Sequence, residues 1–299
     1  MNISSRRQWV WPILFLTIAC IVDGMFWYRI ASLHVSAPAP RIVIFNVGEG
    51  DAALAILPGD VKILIDAGPD AKILTALEDA LGPDDRVIDV AIISNPAPAS
   101  IGGFAALLDH YQFGAFAYGG RKDGAANDLS LPALLAAIAA RHIPLLTVGA
   151  GDRILARGLN GKGEADVLSP DPAFAESADP DEAALVVKAQ FDGVGVVLLP
   201  TAAAARRAAT EYSASFRADA FVLAEAAFKG VQIGTLLPSG GNLRAIVVQA
   251  GAREAAGKSF SAMLKSAASS TPASLFVTGR DGTVELSSHD GALRAEKGS

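Results

Sequence analysis

The alternation of apolar and polar positions divides the chain into a long apolar N-terminal run and a body of short runs punctuated by glycine and proline. From Arg41 the pattern is strand-like. Residues 41–47, 52–57 and 61–66 are rich in β-branched and aliphatic side chains, and turns at 48–51 and 58–60 separate them. Such spacing predicts an antiparallel meander. Residues 71–81 change to helical spacing and stop at Gly82-Pro83. A further aliphatic run, 90–93, climbs to the Pro-rich loop 94–100, and Ile101-Gly102-Gly103 opens an apolar helical pattern to His110. A strand at 115–118, a polar loop through Asn127, a helix at 131–141 and a strand at 143–148 complete the first half.

Gly151 to Leu155 opens a second half, with strands near 165–168, 183–191 and 194–199 and terminal strands at 274–278 and 281–286. It repeats the strand-and-helix logic of the first half, as two β-sheets enclosed by helices would. In such folds the loop from a strand's C-terminal end to a helix's N-terminus is where ligands and reacting groups sit. That singles out the loop 94–103.

The N-terminal segment has its own pattern. Arg6-Arg7 precede an apolar run flanked by Trp9 and Trp11 at one end and Trp27-Tyr28 at the other. From Gln8 to Tyr28 a helix would reach roughly 30 Å, the thickness of a hydrocarbon core, with the aromatic residues as interfacial anchors. Asp23 is a blemish in it. This predicts three parts: a cytoplasmic tip and transmembrane signal anchor over 1–35, a stiff linker over 36–40 (Ser-Ala-Pro-Ala-Pro), and a globular domain over 41–299. The alternative is a cleaved signal peptide; its best tripeptide, Val35-Ser36-Ala37, is followed by Pro38. The basic residues on the amino side orient the body toward the periplasm or cell exterior, with the chain single-pass in the inner membrane.

The 299 residues are 51% hydrophobic and 19% charged, with net charge −6. This is a globular composition with no global field for a polyanion, and direct nucleic-acid binding is not expected. Arg121-Lys122 and Arg206-Arg207 are read as solvated charges. The single cysteine, Cys20, excludes an internal disulfide framework or a cysteine metal cluster.

Three stretches carry a family resemblance. Residues 45–52 (Phe-Asn-Val-Gly-Glu-Gly-Asp-Ala), 63–69 (Ile-Leu-Ile-Asp-Ala-Gly-Pro) and 94–103 (Ser-Asn-Pro-Ala-Pro-Ala-Ser-Ile-Gly-Gly) resemble, in order and spacing, segments of the ComEC-like branch of the metallo-β-lactamase superfamily. The resemblance extends to about Leu286. It implies an α/β (α+β) αββα sandwich and a two-metal hydrolase rim. The last stretch keeps the frame of the superfamily's His-x-His-x-Asp-His loop. Its four ligand positions read Asn95, Ala97, Ala99 and Ser100, and Thr201 stands where the resemblance implies a bridging aspartate.

Alanine cannot ligate, and neutral hydroxyl or amide oxygens hold zinc or manganese poorly. His34, His110, His142 and His289 match none of the ligand positions. No cofactor is therefore expected. Asp51, Asp66, Glu225 and Lys258 form the expected remnant of the pocket, with a Glu225–Lys258 ion pair in place of the metal's charge and a structural role for Asp66. The resulting expectation is a non-catalytic, membrane-anchored pseudoenzyme. It would act as a structural or binding module among other envelope proteins, with DNA uptake suggested by analogy. Two alternatives stand beside it: a metal-dependent hydrolase (nuclease, phosphodiesterase or lactonase) with relocated ligands, and a small-ligand binder using the vacated pocket.

Overall fold

A computed structural model describes residues 4–32, 38–121, 130–158, 161–177, 179–213, 216–230 and 243–298. His34, residues 36 and 37 of the proline linker and residues 122–129 of the polar loop lie outside the described residues. Two compact units are present, 1–38 and 39–299.

The first unit is the helix Ser4–Ser32. Its described large side chains are exposed on every side, among them Phe15, Ile18, Ile21, Met25 and Trp27. Among the described residues no helix is long and apolar enough to cross a membrane, so the expected transmembrane anchor has no support here.

In the second unit the chain forms two mixed sheets. The first contains β1 (Arg41–Ile44), β2 (Ala53–Leu57), β3 (Val61–Ile65), β4 (Val87–Ile93), β5 (Gln112–Tyr118) and β6 (Leu145–Thr147), together with β14 (Val284–His289) and β15 (Ala292–Lys297). Their order is β15-β14-β1-β2-β3-β4-β5-β6. The second contains β7 (Arg153–Gly158), β8 (Gly161–Ser169), β9 (Val186–Phe191), β10 (Val194–Leu199), β11 (Ala220–Ala224), β12 (Ala245–Gln249) and β13 (Ser274–Val277), ordered β13-β12-β11-β10-β9-β8-β7. The expected meander is observed: β1, β2 and β3 pair antiparallel, with Ile44 opposite Ala53 and Ala53 opposite Ile65. Strands β3 to β6 then run parallel. The second sheet has the same composition, with β7 to β10 antiparallel and β10 to β13 parallel.

Period-2 alternation sorts the strands' side chains into layers. In β2, Ala53, Ala55 and Leu57 enter the core between the sheets, while Leu54 and Ile56 face the helices Lys72–Leu81 and Ser130–Ala140. In β10, Val194, Val196 and Leu198 face inward. Val197 and Leu199 lie under the helices Ala202–Glu211, Glu225–Gly230 and Lys258–Ser270. Three apolar layers therefore stack helix, sheet, sheet, helix, and strands buried on both faces read as nearly continuous apolar runs. This is the αββα sandwich expected.

Two boundaries differ from the sequence reading. The apolar stretch after Ile101 is not one helix but two single turns, Pro98–Ile101 and Phe104–Leu107, with Gly102-Gly103 between them. The terminal strands divide between sheets, β13 closing the second and the β14–β15 hairpin returning to the first.

Candidate functional site at the strand ends

Three loops meet where β1, β3 and β4 end, and backbone hydrogen bonds lace them together. Asp51 N donates to Ala99 O at 3.3 Å, Gly68 N to Asp51 O at 2.8 Å, Ala67 N to Ser100 O at 2.7 Å and Gly103 N to Gly68 O at 2.9 Å. The lacing requires glycine at its tightest points. A Cβ on Gly103 would lie 2.1 Å from Ala67 O, and one on Gly102 would lie 2.2 Å from Pro69 O. Pro98 occupies the first turn of its helix, where its missing N–H costs nothing.

Asp66 leaves β3 in the left-handed region, at φ 59°, a conformation aspartate tolerates better than most residues. It points its carboxyl under the loop that follows β4. One oxygen accepts the Ser94 amide at 2.9 Å, and the other accepts the Ser94 hydroxyl. Asp51 lies above it, half-buried, and accepts from the Ser100 hydroxyl at 3.4 Å. Both carboxyls line a cavity of about 10 Å³, closed from the other sheet by Leu198, Leu199, Pro200 and Gln249. That volume admits about one water molecule.

Burial raises the pKa of both acids. Desolvation lifts Asp51 to about 7 despite the Ser100 hydrogen bond, and the nearby Glu225 charge adds to the rise. Asp66 goes well above the ordinary carboxylate range for the same first reason, offset by its Ser94 hydrogen bonds and reinforced by Asp51. Two acids that each resist ionisation beside the other are a proton-holding pair.

The positions where the resemblance implies ligands have local structural roles instead. Asn95 is buried, and its side-chain oxygen accepts the Ala97 amide at 3.2 Å in an Asx turn. Ala97 and Ala99 offer only backbone. Ser100 is buried against Asp51. Thr201 is the N-cap of Ala202–Glu211, accepting the Ala204 amide at 3.1 Å, and its hydroxyl donates to Asp181 O. Among the described residues no group of three or more His, Cys, Asp or Glu side chains is placed to hold a metal ion. The donor set does not fit the superfamily's paired metals.

The remnant cluster is only partly assembled. Asp51 and Asp66 come together in one cavity, with neither Glu225 nor Lys258 lining it. The expected Glu225–Lys258 ion pair is corrected: Glu225 pairs with Lys229 at 2.7 Å, one helical turn on, and Lys229 also reaches Glu254 at 2.7 Å. Lys258 is exposed at the start of Lys258–Ser270. An i,i+4 Glu-to-Lys spacing was visible in the sequence and is the signal that finds Lys229. Ser94 and Gln249 are the polar cavity residues that the remnant list omitted; Gln249 donates to Ala52 O at 2.9 Å and ties the second sheet to the first.

No family model and no curated protein matches the sequence. Solved structures do. A metallo hydrolase from the hyperthermophilic archaeon Ignicoccus hospitalis is 14% identical, covering 83% of this chain and 100% of that chain with TM-score 0.48. A metal-dependent hydrolase of the β-lactamase superfamily is 13% identical, covering 84% and 100% with TM-score 0.49. A metallo-β-lactamase from Cronobacter sakazakii is 18% identical over 60% of this chain and 76% of that one, with TM-score 0.39.

Two of these neighbours are described as a β-lactamase-superfamily hydrolase and a metallo-β-lactamase, and the chain is similar to them in its mixed two-sheet α/β architecture. They do not reach the finer placement in the ComEC-like branch. Against the expectation of a pseudoenzyme, two of these neighbours are described as a metallo hydrolase and a metal-dependent hydrolase. Missing histidines remove one set of metal ligands, which is not the same as removing catalysis.

Proposed function

We propose that the chain is a hydrolase whose acid–base chemistry runs on Asp51, with Asp66 positioning the loop beside it, acting on an ester-type substrate. The observation that carries this reading is the water-sized cavity shared by the two carboxyls at the strand ends. Asp51 is half-buried, so it borders both that cavity and the outer rim. A group whose proton affinity lies near neutrality is also the most effective general base there.

In the proposed step the Asp51 carboxylate takes a proton from the cavity water as the water oxygen bonds to the acyl carbon or phosphorus. The bond to the leaving oxygen breaks, and the same carboxyl returns the proton to that oxygen. Water and ester become acid and alcohol, and Asp51 ends as it began. No step passes through a metal ion, because the residues at the ligand positions do not fit one. Placement within the ComEC-like branch is part of the proposal and is supported by the order and spacing of residues 45–52, 63–69 and 94–103.

The test is turnover of p-nitrophenyl acetate and bis-p-nitrophenyl phosphate by the full chain and by Asp51→Asn. A rate that rises through about pH 7 and falls about 100-fold or more in the variant supports the reading. Turnover no faster than buffer, or equal in the variant, overturns it.

A further inference from the structure

Arg157 and Lys162 lie directly opposite each other across the β7–β8 hairpin, and both are exposed. Two like charges facing each other on one side of a sheet are destabilising. The carboxylates on the same strands are engaged elsewhere. Glu164 meets Arg153 at 3.4 Å and accepts from Gln190 at 2.7 Å, and Asp166 meets Arg153 at 2.8 Å. Residues 159 and 160, which join the two strands, are leucine and asparagine and bring no charge. Asp192 stands on the rim, and among the described residues it forms no ion pair with either cation.

The pair borders a concavity of about 360 Å³, also lined by Leu155, Glu164, Gln190 and Asp192, with Phe191 and Val194 enclosed in the core behind it. This is within the size range of small-molecule sites, which combine apolar lining with a few convergent polar groups. It is remote from the carboxyl cavity. Val194 begins β10 and lines the concavity, whereas Leu198 and Leu199 end β10 and line the carboxyl cavity. At about 3.3 Å per residue the two lie roughly 15 Å apart along that strand.

We propose that this concavity binds a small amphiphilic anion, its carboxylate or phosphate held between Arg157 and Lys162 and its apolar part against the exposed Leu155. The anion relieves the repulsion between the two cations, and each supplies charge-assisted hydrogen bonds. A free metabolite and the headgroup of an anionic lipid share this chemistry.

The probes are hexanoate and hexyl phosphate, titrated calorimetrically into the full chain, with hexanol as the uncharged control. Binding of at least one anion is expected, with hexanol weaker and with affinity reduced about tenfold or more in Arg157→Gln/Lys162→Gln. The N-terminal helix is the same in both proteins, so any binding there cancels. The variant's unfolding midpoint should hold or rise, because the repulsion is gone; Lys162→Gln alone, with a smaller loss of affinity, stands in if it does not. Sedimentation with phosphatidylglycerol and phosphatidylcholine vesicles separates the sources. Binding to the anionic vesicles that hexyl phosphate competes away assigns a lipid headgroup, and equal indifference to both vesicles assigns a free ligand. Absence of binding by both anions, or undiminished binding in the variants, overturns the proposal.

Discussion

Asp66 holds Ser94 with both carboxyl oxygens, taking the amide at 2.9 Å on one and the hydroxyl on the other, in a fully enclosed position. Removing the acid strands two buried donors at the end of β4. Asp66→Ala should therefore destabilise the fold by about 2–4 kcal/mol, and Ser94→Ala by about 1 kcal/mol. Urea unfolding midpoints check both, and equal costs would mean that the amide bond contributes nothing.

The raised pKa of Asp51 makes stability depend on pH in a definite direction. In the unfolded chain its carboxyl ionises near 3.8, and in the folded chain at about 7. The folded state therefore holds the proton more tightly. Its contribution is complete below about pH 4, is lost as pH rises toward 7, and is constant above that. Relative to Asp51→Asn, the wild type should lose between about 1 and 4 kcal/mol from pH 4 to pH 8, the upper figure being three pKa units without solvent screening. Denaturation curves of both proteins at the two pH values measure the difference, and parallel behaviour would remove the assigned cause.

Thr201 caps a helix from the position where the resemblance implies a metal-bridging aspartate. Thr201→Ala should cost about 1 kcal/mol, whereas Thr201→Asp keeps a capping oxygen and should stay within about 0.5 kcal/mol of the wild type. The aspartate should nevertheless recruit no zinc, because among the described residues no metal-holding group of His, Cys, Asp or Glu is present. Thermal midpoints of wild type and Thr201→Asp with and without Zn²⁺ or Mn²⁺ are expected to coincide. A rise of several degrees on adding metal would show a donor set that the described residues do not reveal.

Gly102 and Gly103 leave no room for a methyl group against Pro69 O and Ala67 O, at 2.2 and 2.1 Å. Gly103→Ala should force the loops apart and cost about 1–3 kcal/mol or more. Ester turnover should fall with it if Asp51 acts as proposed, since Asp51 N bonds to Ala99 O in the same lacing.

Much of this arrangement was readable in advance because the same residues carry both pattern and contact. The runs of β2 and β3 are buried on both faces and read as strands from their continuous apolar character, and Gly102-Gly103 marks the tight approach directly. The ion pairing of Glu225 was misread. No motif anchors the chain between Thr201 and Lys258, and the nearer lysine, Lys229, satisfies Glu225 within one helix. The cavity itself could not be seen in sequence. Gln249 and Leu198 arrive from the other sheet, and only packing brings them to Asp66.

The β14–β15 hairpin pairs with β1, Ile42 standing opposite Leu286. A ribosome emitting this chain releases β1 more than two hundred residues before its outer neighbour. Until then one rim of the first sheet has unmet amide and carbonyl groups, open to any extended segment nearby. Synthesis halted before residue 284 should thus yield a product that clumps, while the finished chain seals its own seam.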